Sequence, residues 1–100
     1  MNYPQLTAAL DALESFLVAV RAAVDVFVQE GIPDVPPDVD ATQEERTLWS
    51  MRQFLAIYPL AVERMRLWAS YPWPDAAVRA VTATAQQMLA TAADILPDLG

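Results

Sequence analysis

Residues 31–45 read GIPDVPPDVDATQEE. One glycine, three prolines, three aspartates and two glutamates share these fifteen positions. Such a stretch could be a cation loop, an acidic tether, or the punctuation between two helices. Its neighbours argue for punctuation. Upstream, Leu6, Leu10, Leu13, Leu17, Val20, Val24 and Phe27 follow at alternating steps of four and three. That is the unbroken heptad seam of an amphipathic helix over about 4–30. Pro4 suits its first turn, where the missing N–H costs nothing. Gly31 suits a left-handed cap that lets Ile32 fold back onto Phe27, and Pro33 forbids continuation.

Inside the stretch, Pro33-Asp34-Val35-Pro36 is echoed by Pro37-Asp38-Val39-Asp40, which favours an extended connector over 31–42. Thr42-Gln43-Glu44-Glu45 then matches a capping box, in which the Thr hydroxyl accepts from the third residue's N–H and the Glu reaches back. Glu44 and Glu45 also sit at the positive end of the helix dipole. Asp38, Asp40 and Thr42 carry the 1-3-5 spacing of an EF-hand loop. Gln43 replaces its glycine, however, and Trp49 stands where the bidentate glutamate belongs. No metal site is assigned.

Downstream, Leu48, Met51, Leu55, Tyr58, Val62, Met65 and Ala69 predict a second helix over 43–70. Pro59 lies within it, and because the seam keeps its phase across the proline, one kinked helix is expected. Tyr71-Pro72-Trp73-Pro74-Asp75 is too rich in proline to stay helical and should turn the chain over 71–74. A third helix is expected over 74–96 on a seam of Val78, Val81, Ala85, Met88, Ala92 and Ile95, with Pro97 as its stop. The fold class is therefore all-α. The expected architecture is a single-domain, antiparallel three-helix bundle with a Pro-kinked central helix, in which helix 2 runs against both neighbours.

Helix 2 carries a second apolar face. At about 100° per residue, Trp49, Ala56, Ile57, Leu60 and Leu67 fall roughly opposite the seam. Phe54 and Trp68 flank the seam. A helix apolar all round is normally buried all round, and two neighbours cannot achieve that. We therefore expect an interface on Trp49, Ala56, Ile57, Leu60, Arg64 and Leu67. Hiding the stripe would gain several kcal/mol at about 25 cal/mol per Å². Helix 3 offers a second candidate contact surface of small residues, Ala76, Ala80, Ala83 and Ala90, with Gln86 and Gln87 among them, which high helix propensity alone explains equally well.

Composition agrees. With 55% apolar residues in 100 positions, the chain has more greasy surface than one small bundle comfortably buries. Its net charge is −7, which repels nucleic-acid phosphates. Residues 1–42 are net −6 and residues 43–70 net +1, so the cations gather on helix 2, where they could meet acids of a neighbouring chain. No apolar run approaches the roughly 18 residues of a membrane span, and the start MNYPQL lacks the basic residues of a signal peptide. A cytoplasmic protein is the expectation.

Chemistry is sparsely equipped. The chain has no Cys, His or Lys, which removes thiolate, imidazole and Schiff-base catalysis and the usual zinc ligands. Ser15, Ser50 and Ser70 have no base to activate them. No seam position is an acid, so a carboxylate-lined bundle core is not expected either. Tyr58 is read as a core tyrosine reaching a carbonyl freed by Pro59, and Met51, Met65 and Met88 as core fill. Trp49-Ser50-Met51 lacks the glycine of the Trp-Xaa-Gly turn that marks the small secreted helical hairpins, and sits mid-helix. No family is recognised.

The expected function is non-enzymatic association: a homodimer through helix 2, without catalytic residues or cofactor. The alternatives are a binding module that docks a foreign helix on the same stripe, as an adaptor, inhibitor or immunity-type protein would, and a ligand-binding or catalytic bundle with its pocket at Pro59.

Overall fold

The computed structural model describes residues 3–95. The expected last turn at Leu96 and stop at Pro97 lie outside the described residues, as does the side chain of the seam position Ile95. The described residues form three helices and no strand: α1 over Pro4–Gln29, α2 over Gln43–Trp68 and α3 over Asp75–Ile95. The molecule measures 49 × 23 × 20 Å, the proportions of rods lying side by side.

Each helix ends for a local reason. Pro4 opens α1 at its first position. Gly31 takes φ +80°, the left-handed conformation open to a residue without a Cβ. Its N–H donates to the Val28 carbonyl at 3.0 Å and that of Ile32 to the Phe27 carbonyl at 3.1 Å. These two bonds are the Schellman pattern, and both Ile32 and Phe27 pack onto the core. The α2 capping box is complete: Glu45 N–H donates to Thr42 Oγ1 at 3.1 Å, and Thr42 N–H to Glu45 Oε1 at 3.0 Å. At the other end α2 stops at Trp68, two residues short of the expected 70, because the Ser70 hydroxyl takes the Leu67 carbonyl at 2.7 Å. Pro72 then drives Tyr71 out of helical geometry.

The 31–42 connector closes on its own groups. Asp38 Oδ1 accepts from Asp40 N–H at 2.9 Å, an Asx turn. The Arg46 guanidinium reaches back to the carbonyls of Asp38 at 3.0 Å and Ala41 at 3.3 Å. Among the described residues, no cluster of three or more acids converges as a metal site would require.

The heptad seam of α1 is the spine. Leu6, Leu10, Leu13, Leu17, Val20 and Val24 are all buried. The first four pack with Ala9, Val62 and Ala85; Val20 and Val24 pack with Leu48, Met51, Phe54 and Ala92. Thus the N-terminal half of α1 meets the later half of α2, and its C-terminal half meets the earlier half of α2. α1 packs against both other helices, while α2 and α3 touch sparingly. The reason lies in side-chain size. The buried positions of α3 are Thr82, Ala85 and Ala92, too short to bridge to α2, whereas the α1 leucines reach both ways.

A latch that the sequence did not announce joins the chain start to the 71–74 turn. The Tyr3 hydroxyl donates to the Tyr71 carbonyl at 2.7 Å and accepts from Trp73 N–H at 2.8 Å. Trp73 stacks on Trp68, ring centroids 5.1 Å apart and 3° from parallel, and its indole N–H donates to the Trp68 carbonyl at 2.6 Å. The turn is therefore ordered by aromatic stacking on one side and a bridging phenol on the other.

Candidate functional site

The outer face of α2 follows from helix geometry. With the seam turned to α1, residues half a turn away must face outward. Ala56 is exposed, and Ile57, Leu60 and Leu67 keep 59%, 51% and 68% of their surface accessible. Arg64 is exposed beside them. Trp49 departs from this pattern. It is half-buried, lining a shallow groove with Ser50, Gln53, Phe54, Ile57 and Tyr58. An indole reaches far enough to lie sideways along its helix, so a position that points outward does not oblige the ring to do so.

The six residues are not drawn into one cavity. Ala56 and Leu60 form an open ridge, with Trp49 and Ile57 along one flank. Leu67 borders a groove of about 510 Å³ between α1 and α2, whose apolar lining includes Leu17, Val18, Pro59 and Val62. Arg64 borders a third hollow, towards α3, with Met65, Trp68, Val81 and Thr84. Val18 is the residue the sequence reading missed. It stays 62% accessible and extends the patch from α2 onto α1. Its signal was an apolar residue one step off the α1 seam beside Leu17.

The cations of α2 turn mostly to their own chain. Arg66 binds Asp11 and Glu14 of α1, each at 2.7 Å, and hydrogen bonding to Glu14 and then Asp11 holds its guanidinium above the ordinary arginine pKa. Arg52 pairs with Asp34 of the connector at 2.9 Å, and Arg46 caps connector carbonyls. Three of the four α2 arginines therefore serve their own chain, because residues 1–42 hold the excess of acid and fold back against α2. Among the described residues Arg64 and Glu63 make no ion pair.

Tyr58 does not fulfil its expected role. It packs edge-on against Phe54, centroids 4.7 Å apart, and its hydroxyl takes no carbonyl among the described residues. Instead the ring opens towards the hollow beside α3 with Met88 and Thr91. Burial alone pushes its phenol above the ordinary tyrosine value. No side-chain N or O atom that is fully buried lacks a partner among the described residues, so the helices enclose no strained polar group. Pro59 and Tyr58 line different hollows.

Compared with protein-family models, curated proteins and solved structures, the chain matches none. Among the described residues no helix is long and apolar enough to cross a membrane.

Proposed function

We propose that this protein acts by association rather than catalysis, and that it self-associates through the outer face of α2. The observation that carries the reading is the accessibility of Ile57, Leu60 and Leu67 on a helix that buries Leu48, Met51, Phe54 and Val62 elsewhere on its surface. Covering a half-exposed Leu or Ile is worth roughly 1 kcal/mol. A two-fold contact counts each such residue twice, which brings the total to several kcal/mol before association costs. In this reading the helices run up, down and up as an antiparallel bundle, and Pro59 bends α2 by removing one backbone bond. The bend makes the ridge around Ala56 and Leu60 prominent. Glu63 and Arg64 stay uncommitted on either side of it, as rim charges that select a partner more than they bind it.

Light scattering behind a sizing column at micromolar concentration tests this. The unmodified chain is expected at twice the chain mass and Leu60→Glu at the chain mass, with unchanged helical circular dichroism. A monomer for the unmodified chain would refute the reading.

A further inference from the structure

By backbone position, the apolar residues Trp49, Ala56, Leu60 and Leu67 of α2 lie within about 40° of one another around the helix at 100° per residue. Their separations are seven, four and seven residues. The series reads the same in both directions, and its midpoint is Tyr58. A surface that pairs with itself across a two-fold axis must show this property, since residue i then meets j and j meets i. We infer that two copies join through α2 in an antiparallel register centred at the level of Tyr58. Trp49 of each copy lies opposite Leu67 of the second, and Ala56 opposite Leu60. This register rests on the self-association proposed above and specifies its geometry.

The polar flanks agree with it. A two-fold axis perpendicular to the helices sets each flank beside the same flank of the second copy. Gln53 and Arg64 share one flank; Arg52 and Glu63 share the other. Arg64 therefore comes beside Gln53 of the second copy, where the amide oxygen accepts from the guanidinium. Glu63 comes beside Arg52 of the second copy. Arg52 already holds Asp34 at 2.9 Å, but a guanidinium has five donors and can hold a second carboxylate. The Asp34 and Glu63 carboxylates then approach each other only with the Arg52 guanidinium between them. The packing is also even: Ala56 against Leu60 occurs twice, a small side chain against a large one each time. A parallel pairing would set Ala56 on Ala56 and Leu60 on Leu60, a gap followed by a crowded layer. It would also bring like ends of the two α2 dipoles together.

Cysteine trapping tests the register, and the chain has no Cys of its own. In the double variant Gln53→Cys/Arg64→Cys the two thiols lie eleven residues apart on one helix, about 16 Å. They cannot bridge within a chain, because a disulfide needs Cα atoms within roughly 7 Å. Mild oxidation is expected to convert the double variant to a covalent dimer whose peptide map shows a 53–64 bond. Each single variant should lose that product, since like positions stand about 15–18 Å apart along the axis. Efficient trapping of Gln53→Cys alone would overturn the register in favour of a parallel one. An untrapped double variant that still has dimer mass by light scattering would overturn the register and leave self-association through another contact. A monomer at every concentration would overturn both, and hand the α2 face to a different protein.

Discussion

Tyr58 shows how much one residue's role depends on its surroundings. Its seam position is plain in the heptad spacing, but its hydroxyl finds no carbonyl partner among the described residues. The ring is half-covered and the phenol is pushed above its ordinary value by burial. A raised native pKa means that, above about pH 10, the unfolded chain has released a proton that the native chain still holds. Stability from this residue is then intact below pH 10 and declines as pH rises towards the native value. Denaturant midpoints measured from pH 9 to 11 should fall for the parent chain, and fall less for Tyr58→Phe. Trp49 teaches a related point. Its backbone position faces out, yet it is half-buried, in a groove shared with Ser50, Gln53, Phe54, Ile57 and Tyr58 of its own helix.

Helix ends are local events, and at this scale the chain reads clearly. Heptad steps, the capping box at Thr42–Glu45 and Gly31 before Pro33 each act over four to six residues, so each is visible without knowing the fold. Gly31 tests this. With φ +80° and nothing within 4 Å of a Cβ built there, alanine would meet no clash but would carry the left-handed backbone penalty. Gly31→Ala is expected to lower unfolding stability by about 1 kcal/mol without altering helical content, as chemical denaturation followed by circular dichroism would show. The end of α2 was less legible. Ser70 and Tyr71 could have extended the helix, and the choice went to a hydroxyl cap and an aromatic stack with Trp73 that require the turn to be formed first.

Across the whole molecule, contacts between distant segments decide which helix sits at the centre. The α1 leucines reach both other helices, and α3, with small buried side chains, leaves α2 open along its outer side. The Arg66 tie to Asp11 and Glu14 fastens the end of α2 to the start of α1 over more than fifty residues of sequence. Its carboxylates are well exposed, so solvent screens the attraction. Arg66→Gln is expected to lower unfolding stability by about 0.5–1 kcal/mol at low salt and by clearly less in molar salt, measured as paired urea titrations. Charge counting along the chain identified the acidic start and the cationic α2. It could not show that they pair with each other, because that depends on how the connector folds back.

The sequence by itself determined three helices, the caps at Gly31 and Thr42 and the doubly apolar character of α2, because periodicity, prolines and capping residues act through neighbours a turn or two away. Only the tertiary structure decided that α1 is the packing spine, that three of the four α2 arginines are spent within the chain, and that Tyr3 latches the 71–74 turn. Those outcomes depend on side-chain reach between segments far apart in sequence, and spacing along one chain does not encode such distances.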